Sequence, residues 1–410
     1  MAFDVTKIIG EFPLISQESP GLHYLDNAAS AQVPQCVIEA MATHDTRSRA
    51  NVKRAAHRLA DQATRAFDSA RMQVGRYLGI SDVDEVVFTS GATAGINILA
   101  WSLGQRLKPG DEILLSILEH HSNLVPWQML RERTGIVLRF LPVDEACRLD
   151  LTALEQHIGP RTKLVALTHG SNVSGAITDV PAIARYAHAR GALLMLDGAQ
   201  VAPHGPLNLP SLDVDFYVFS SHKVYGPTGV GVLWGRREYL EELPPAFGGG
   251  EMIRSVDLKR SLYGPLPHRF EAGTPPITQA TGLSTALSWL MKQDLEGMQN
   301  HLRQLTDRTI AGLMSMDRSM SRIRILGPPI GERRLPLISF VLKEAHPHDI
   351  CQVMNDRHGV AARGGFHCAQ PLHDFMGLDG STRVSFGAYN TTSDVDAFLR
   401  GVEDCIALLC

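Results

Sequence analysis

The sequence predicts an α/β protein: a large unit with a mainly parallel, seven-stranded sheet wrapped by helices, joined to a smaller α+β unit on the C-terminal side. Three observations predict it. From about residue 20 to residue 240, short apolar or β-branched runs alternate with helix-like segments, the pattern of parallel strands joined by helical crossovers. Beyond Gly249 the pattern changes, through a loop-rich stretch holding Pro265, Pro267, Pro275 and Pro276, to a long amphipathic region and then a strand–helix–strand–helix order. The length, 410 residues, exceeds one core of usual size.

Taken in order, strands are expected at Glu85 to Thr89, Glu112 to Ser116, Val137 to Leu141, Lys163 to Thr168, Ala192 to Asp197, Asp215 to Phe219 and Val230 to Gly235. Helical patterns fill most gaps, as in Val180 to Arg190. A long amphipathic helical region from about Ala280 to Met316 bridges to the second unit. There the pattern reads as a strand at Leu335 to Leu342, a helix near His348 to Arg357, a strand at Ser381 to Tyr389 and a final helix from Thr392 to Leu409. The expected division is residues 21–294 for the large unit and 1–20 with 295–410 for the small one, the first twenty residues being too few for a domain of their own.

Composition removes several classes of function. A formal net charge of −4, from 39 basic and 43 acidic side chains, offers no nucleic-acid surface. The longest apolar runs are strand-length, too short to span a bilayer. Met1 to Gly10 has no basic start followed by an apolar stretch, which points away from a signal peptide and toward a cytoplasmic location. The six cysteines contain no C-x-x-C pair, which argues against a zinc site and against a disulfide framework. Only eight of the basic residues are lysines, so chemistry that needs an amine has few candidates.

In such folds ligands bind beyond the carboxyl ends of the strands, and three strand ends carry unusual residues. Phe88-Thr89-Ser90-Gly91-Ala92-Thr93 runs from a strand through a small-residue turn into a helix, where free N–H groups suit a phosphate; the plainer reading is a turn capped by Thr93. Asp197 closes an apolar strand that reads as buried on both faces, where a lone carboxylate is costly, so it needs either a cationic partner or an N-cap role. Lys223 follows Ser220-Ser221-His222 at the end of a third buried strand, where a lysine is rare unless paired or covalently used. A Schiff-base lysine, an aspartate for a pyridine nitrogen and a phosphate cup together are the requirements of pyridoxal 5'-phosphate chemistry.

With those residues in view, the chain resembles the class V aminotransferase-like, fold-type I pyridoxal phosphate enzymes, and within them the type II (Suf/Csd-type) cysteine desulfurases. The resemblance runs from Tyr24-Leu25-Asp26-Asn27-Ala28-Ala29 through Glu119-His120-His121-Ser122-Asn123 and Arg269-Phe270-Glu271-Ala272-Gly273-Thr274-Pro275 to Tyr389-Asn390-Thr391. The segment that bears on reaction type is Arg363-Gly364-Gly365-Phe366-His367-Cys368-Ala369-Gln370-Pro371, which is similar to the loop whose cysteine accepts sulfur in that family. The neighbouring His and Arg are expected to favour its thiolate.

The resemblance implies that Lys223 holds the cofactor and moves the substrate's Cα proton, that Asp197 faces the ring nitrogen, and that Gln200 bonds the ring hydroxyl. It places His120 on the ring face, with His121 left open as the alternative. It assigns the phosphate to Ala92, Thr93, Ser220 and His222, with Thr274 supplied by the partner of a homodimer. Asn172 is implied near both the cofactor and the substrate carboxylate, Arg383 at that carboxylate, and Cys368 as the persulfide carrier. Three departures from the family pattern stand out: Ser90-Gly91-Ala92-Thr93-Ala94 where R-G-T-T-E is usual, Asn51-Val52-Lys53-Arg54 where N-V-H-R is usual, and Phe366 where a polar side chain is usual.

The implied reaction converts L-cysteine to alanine and a persulfide, for iron–sulfur cluster assembly or thiolation through an acceptor protein. Selenocysteine lyase, cysteine sulfinate desulfinase and a sulfur donor in secondary metabolism remain neighbouring readings. A non-catalytic binding scaffold is the reading from another class, and the presence of Lys223, Asp197 and Cys368 speaks against it.

Overall fold

The computed structural model describes residues 3–17, 21–53 and 56–410, so Arg54 lies outside the described residues. Seven strands form one sheet in the order Val86–Thr89, Gly231–Gly235, Phe216–Ser220, Leu193–Asp197, Thr162–Thr168, Glu112–Ser116, Val137–Leu141. All pairs are parallel except those made by Gly231–Gly235, which runs antiparallel to both neighbours. The carboxyl ends of the other six therefore lie along one edge.

The alternation of side chains explains why these strands read as unbroken apolar runs. Leu194 and Leu196 enter one apolar layer, with Tyr217 and Phe219. Met195 enters the other, with Phe216 and Val218 and with Ile96 and Leu99 of the helix Ala92–Gly104. Of the seven strands, only the edge strand Val137–Leu141 carries exposed residues.

A second, antiparallel sheet has the order Ile323–Leu326, Leu337–Leu342, Ser381–Ser385, Arg363–Gly365. Two helices, Pro347–His358 and Thr392–Leu409, bury Met354, Val395 and Phe398 in the core beside it. The pairing sets Arg363 directly opposite Arg383, which brings two guanidinium-bearing residues to the edge where the strands of the large sheet end. The N-terminal segment touches both regions, since the ring of Phe12 packs against Tyr225 and Trp289 and also against Tyr389.

Three elements differ from the sequence reading for identifiable reasons. The region Ala280 to Met316 is two helices, Ile277–Met291 and Leu295–Met316, because the Asp294 side chain accepts the Gly297 N–H (3.0 Å) and starts a new helix. The strand expected from Leu335 begins at Leu337, since Pro336 has no N–H and the Leu335 N–H is taken by Gly175. The strand from Ser381 stops at Ser385, where Phe386 N–H turns to Pro336 and Asn390 Oδ1 accepts from Gly387. Among the described residues no helix is long and apolar enough to cross a membrane.

One buried ion pair ties the long helix Arg58–Leu78 to the Arg269-Phe270-Glu271 segment. Arg71 meets Glu271 through two 2.8 Å bonds, both side chains nearly inaccessible, and Glu271 also accepts the Phe88 N–H at 2.7 Å. The Arg71 guanidinium lies over the rings of Phe67 and Phe88. Removing one partner strands the other charge in the core, so Glu271→Gln is expected to lower stability by about 3–5 kcal/mol in chemical denaturation. An unchanged denaturation midpoint would mean that the pair carries no such weight.

Candidate active site

A pocket lies where the strand ends of the large sheet meet the small antiparallel sheet. On its floor Asp197 and Lys223 come from adjacent strands, one at the last residue of Leu193–Asp197 and the other in the turn Ser221–Lys223. Burial acts on both in opposite senses. It raises the Asp197 carboxyl above its ordinary range, and it brings the Lys223 amine down to about 8 against the pull of Asp197. One Asp197 oxygen accepts the Ala199 N–H at 3.0 Å. Gln200 donates to the Ala28 carbonyl at 2.8 Å, which leaves its amide oxygen as an acceptor on the pocket wall.

At one end of the pocket the helix Ala92–Gly104 begins. Gly91 occupies the N-cap position with φ 150° and has no side chain to cap the helix, so the capping role considered for Thr93 is corrected. Thr93 lies inside the first turn, with its hydroxyl 2.6 Å from that of Ser122. The close approach of strand and turn explains the glycine, because a Cβ on Gly231 would meet the Gly91 Cα at 2.5 Å. Ser220 Oγ accepts the Ala92 N–H at 2.8 Å, and Thr93, Ser220 and His222 line this end with Ala92. The result is a helix start with hydroxyls and N–H groups around it, fit for an anion.

His120 lines the pocket and His121 does not. The Ser122 N–H donates to Nδ1 of His120 at 3.1 Å, which places the ring proton on Nε2, and burial with the charge of Lys223 pushes its pKa down to about 3. His121 holds the Cys368 loop instead. Its N–H donates to the Cys368 carbonyl at 2.7 Å, and its Nε2 accepts the Gln370 N–H at 3.2 Å.

At the other end, His367 and Cys368 are consecutive residues with φ 51° and 55°, an uncommon left-handed pair. Neighbours hold them there: Asn172 Nδ2 donates to the His367 carbonyl at 2.7 Å, and His367 Nε2 meets the Ser381 carbonyl at 3.0 Å. Cys368 is half-buried beside the pocket lining, close enough for its charge to act on Lys223 and Arg383. The expectation that a neighbouring His favours the thiolate needs correction: burial and two arginines push His367 down to about 2, so it is neutral. The cations near Cys368 are Arg363 and Arg383.

Arg383 is buried, with Nη1 donating to the Asn172 carbonyl at 3.0 Å and Nη2 paired with Asp26 at 3.1 Å. Its Nε is buried without a partner, an orphaned donor beside the pocket. Thr274 is exposed and outside the pocket of its own chain.

The family model for class-V aminotransferases matches residues 23–398. The chain belongs to the class-V aminotransferase family. A probable cysteine desulfurase from Streptomyces coelicolor is 41% identical over 98% of this chain and 96% of its own length. One from Vibrio cholerae is 39% identical over the whole of both chains. The crystal structure of the cysteine desulfurase CsdA from Escherichia coli superposes with a TM-score of 0.91 at 36% identity, covering all of both chains. Within the class-V aminotransferase family the chain therefore groups with the cysteine desulfurases, enzymes whose cofactor is pyridoxal phosphate.

The class-V aminotransferase pocket passes a chemical test for that cofactor. Burial raises the Asp197 carboxyl even with Lys223 beside it, and a protonated ring nitrogen there would supply a counter-charge that favours its ionised form. The helix start with Ser220 and Thr93 suits the phosphate, and burial brings the Lys223 amine down to about 8, so it gives up its proton more readily than an ordinary lysine.

Several residues of this site carried no role in the sequence reading. Ser122 joins Thr93 to His120, and Asp26 pairs with Arg383. Glu119 lies under His120, fully buried, where Ser116 Oγ, Asn123 Nδ2 and the Thr168 N–H reach it at 2.5, 2.6 and 3.1 Å. Its position in Glu119-His120-His121 was the available signal, but the burial that raises its pKa to about 8 is a tertiary property. A carboxyl raised in the fold stabilises fully below its unfolded pKa and loses that contribution as pH rises toward 8. Glu119→Gln is therefore expected to flatten the fall in stability between about pH 4.5 and 8, measured by denaturation across that range. Parallel curves for the two proteins would refute the raised pKa.

Proposed function

We propose that the protein is a pyridoxal phosphate-dependent cysteine desulfurase that converts L-cysteine to L-alanine and leaves the sulfur on Cys368 as a persulfide. The observation that carries this reading is the strained His367–Cys368 pair, held at the mouth of the Lys223 pocket beside Arg363 and Arg383. When bound, pyridoxal phosphate supplies an electron sink for charge developing at the substrate's Cα. Lys223, Asp197, Gln200, His120 and the Ala92, Thr93, Ser220, His222 end would hold it.

In this reading Arg383 binds the substrate carboxylate, using the Nε that has no protein partner, with Asn172 beside it. Lys223 Nζ accepts the Cα proton, a task for which an amine near pKa 8 is suited. The Cys368 thiolate attacks the substrate sulfur. A sulfur–sulfur bond forms, the Cβ–sulfur bond breaks, and its electron pair remains with Cβ, which takes up a proton. Cysteine and the Cys368 thiol thus become alanine and a persulfide, with carbon reduced and sulfur oxidised.

Further proposals rest on the same site. Thr274 reaches the phosphate of a second copy, in a homodimer. In support, Thr274 is exposed beside the hairpin Ile253–Val256 and Ser261–Tyr263, which leaves Val256, Leu258, Leu262 and Tyr263 open to solvent. The persulfide passes to an acceptor protein, for iron–sulfur cluster assembly or thiolation. Residues 21–294 act as the cofactor-binding unit, and 1–20 with 295–410 as the unit that carries the sulfur loop.

The reading is tested by incubating the holoenzyme with L-cysteine and following both alanine and the intact mass. A sulfur adduct on Cys368 is expected to appear with alanine. Cys368→Ala is expected to abolish the adduct and slow alanine release by about a hundred-fold or more. Alanine release at the original rate from that variant would remove Cys368 from the mechanism.

His121 is expected to act as a positioning residue. Its replacement by Ala frees the Cys368 loop and should lower kcat about ten- to a hundred-fold while KM for cysteine changes little. His121→Gln, whose amide oxygen can accept the Gln370 N–H, should recover most of the loss. Equal damage in both variants would count against positioning through that bond.

A further inference from the structure

A second and roomier cavity, about 650 Å³ against about 160 Å³ for the Lys223 pocket, opens on the other side of the Gln200–Val201 turn. It lies between the segment Gly205–Leu212, the first half of the helix Leu295–Met316 and the loop Gly331–Pro336. Its size is that of a small-molecule site. Ile177, Val201, Leu207, Leu212 and Leu335 give it an apolar wall, and Asn208, Ser211, Gln299 and Asn300 add polar groups.

The charges in the cavity do not balance. Arg303, Arg333 and Arg334 all line it, and none makes an ion pair among the described residues. Arg334 is largely buried; its two Nη atoms donate to the carbonyls of Pro328, Ser174, Leu326 and Leu337, while its Nε is buried without any partner. Burial outweighs the pull of Asp307 and brings that guanidinium down to about 10. Of the two carboxylates present, Glu332 is committed to Arg148 at 2.6 Å, which leaves Asp307 alone against three cations. His169 and His204, both near 4, add no charge at neutral pH.

An apolar wall facing a surplus of guanidinium groups selects one kind of ligand. We infer that this cavity is a second ligand site, for an amphipathic organic anion whose carboxylate, sulfonate or phosphate sits on Arg303 and Arg333 and whose apolar body lies against Leu207, Leu212 and Leu335. Val201 and His169 of its wall adjoin Gln200, Thr168 and Gly170 of the catalytic pocket. A ligand there would rest against the backbone that carries the cofactor-facing residues. The site is independent of which substrate the enzyme uses, so its test is separate from the desulfurase reading.

The probe is 1-anilinonaphthalene-8-sulfonate, an amphipathic anion, titrated by fluorescence into the holoenzyme. Saturable binding of one probe per chain is expected, with N-phenyl-1-naphthylamine, the same body without the sulfonate, binding at least about ten-fold more weakly. The double variant Arg303→Ala, Arg333→Ala should weaken the anion by at least about ten-fold and leave the neutral probe unchanged. Ser211→Trp, placed on the exposed rim to fill the cavity, should exclude both. The inference is overturned by absence of saturable binding, or by binding that neither variant shifts, since the dye then rides on another surface such as the apolar hairpin.

Discussion

Two ionisable groups at the ends of adjacent strands set the character of the whole site. Asp197 and Lys223 face one pocket, and burial works against the charge of each, raising the acid and lowering the base. Neither is satisfied by the protein alone. Each is a counter-charge to the other, but burial outweighs that attraction in both. This is a site that gains by taking in a ligand with a cationic nitrogen, an electrophilic carbon and an anionic tail. The sheet makes it possible, because both apolar faces must be buried before the strand ends can hold such groups out of water.

The small sheet completes the site from the opposite side by a different means. The Cys368 loop takes up two consecutive left-handed residues, a conformation that persists only when its surroundings overdetermine it. Asn172 and His121 belong to the large sheet's strand-end loops, and both bond carbonyls of the strained pair. Ser381, on the small sheet, takes the His367 ring. Asn172 also receives Arg383 on its own carbonyl. The Cys368 loop and Arg383 are thus tied to the same residue, so in the proposed reading substrate binding and sulfur acceptance share one support.

Much of this was legible in the residues, for physical reasons. Strands buried on both faces print as apolar runs, and a lysine or aspartate at their ends stands out because burial makes such residues rare. The seven strands of the large sheet and the final helix Thr392–Leu409 were readable on that ground. Element ends were less so. Leu335 and Pro336 look like strand residues until the Gly175 carbonyl claims the Leu335 N–H, a contact across 160 positions. The same holds within the site. Nothing in Glu119-His120-His121 tells which ring faces the pocket, because the choice is made by the Ser122 N–H on one ring and the Gln370 N–H on the other. His367 looked like a cationic neighbour of the cysteine, and only its burial beside Arg363 and Arg383 makes it neutral.

That neutrality bears on how the chemistry is organised. His120, His121, His222 and His367 are all held below the ordinary histidine range, each chiefly by burial. The rings of His120, His121 and His367 act here as hydrogen-bonding groups rather than as charges. The positive potential around Cys368 comes instead from the guanidinium groups of Arg363 and Arg383. A sulfur acceptor must be a thiolate when it attacks and must stay close to a substrate that is itself anionic at its carboxylate. Such cations meet both demands at once, and neutral histidines avoid competing for the proton. In the proposed reading, the arrangement separates Lys223, whose protonation changes, from the groups that only hold geometry.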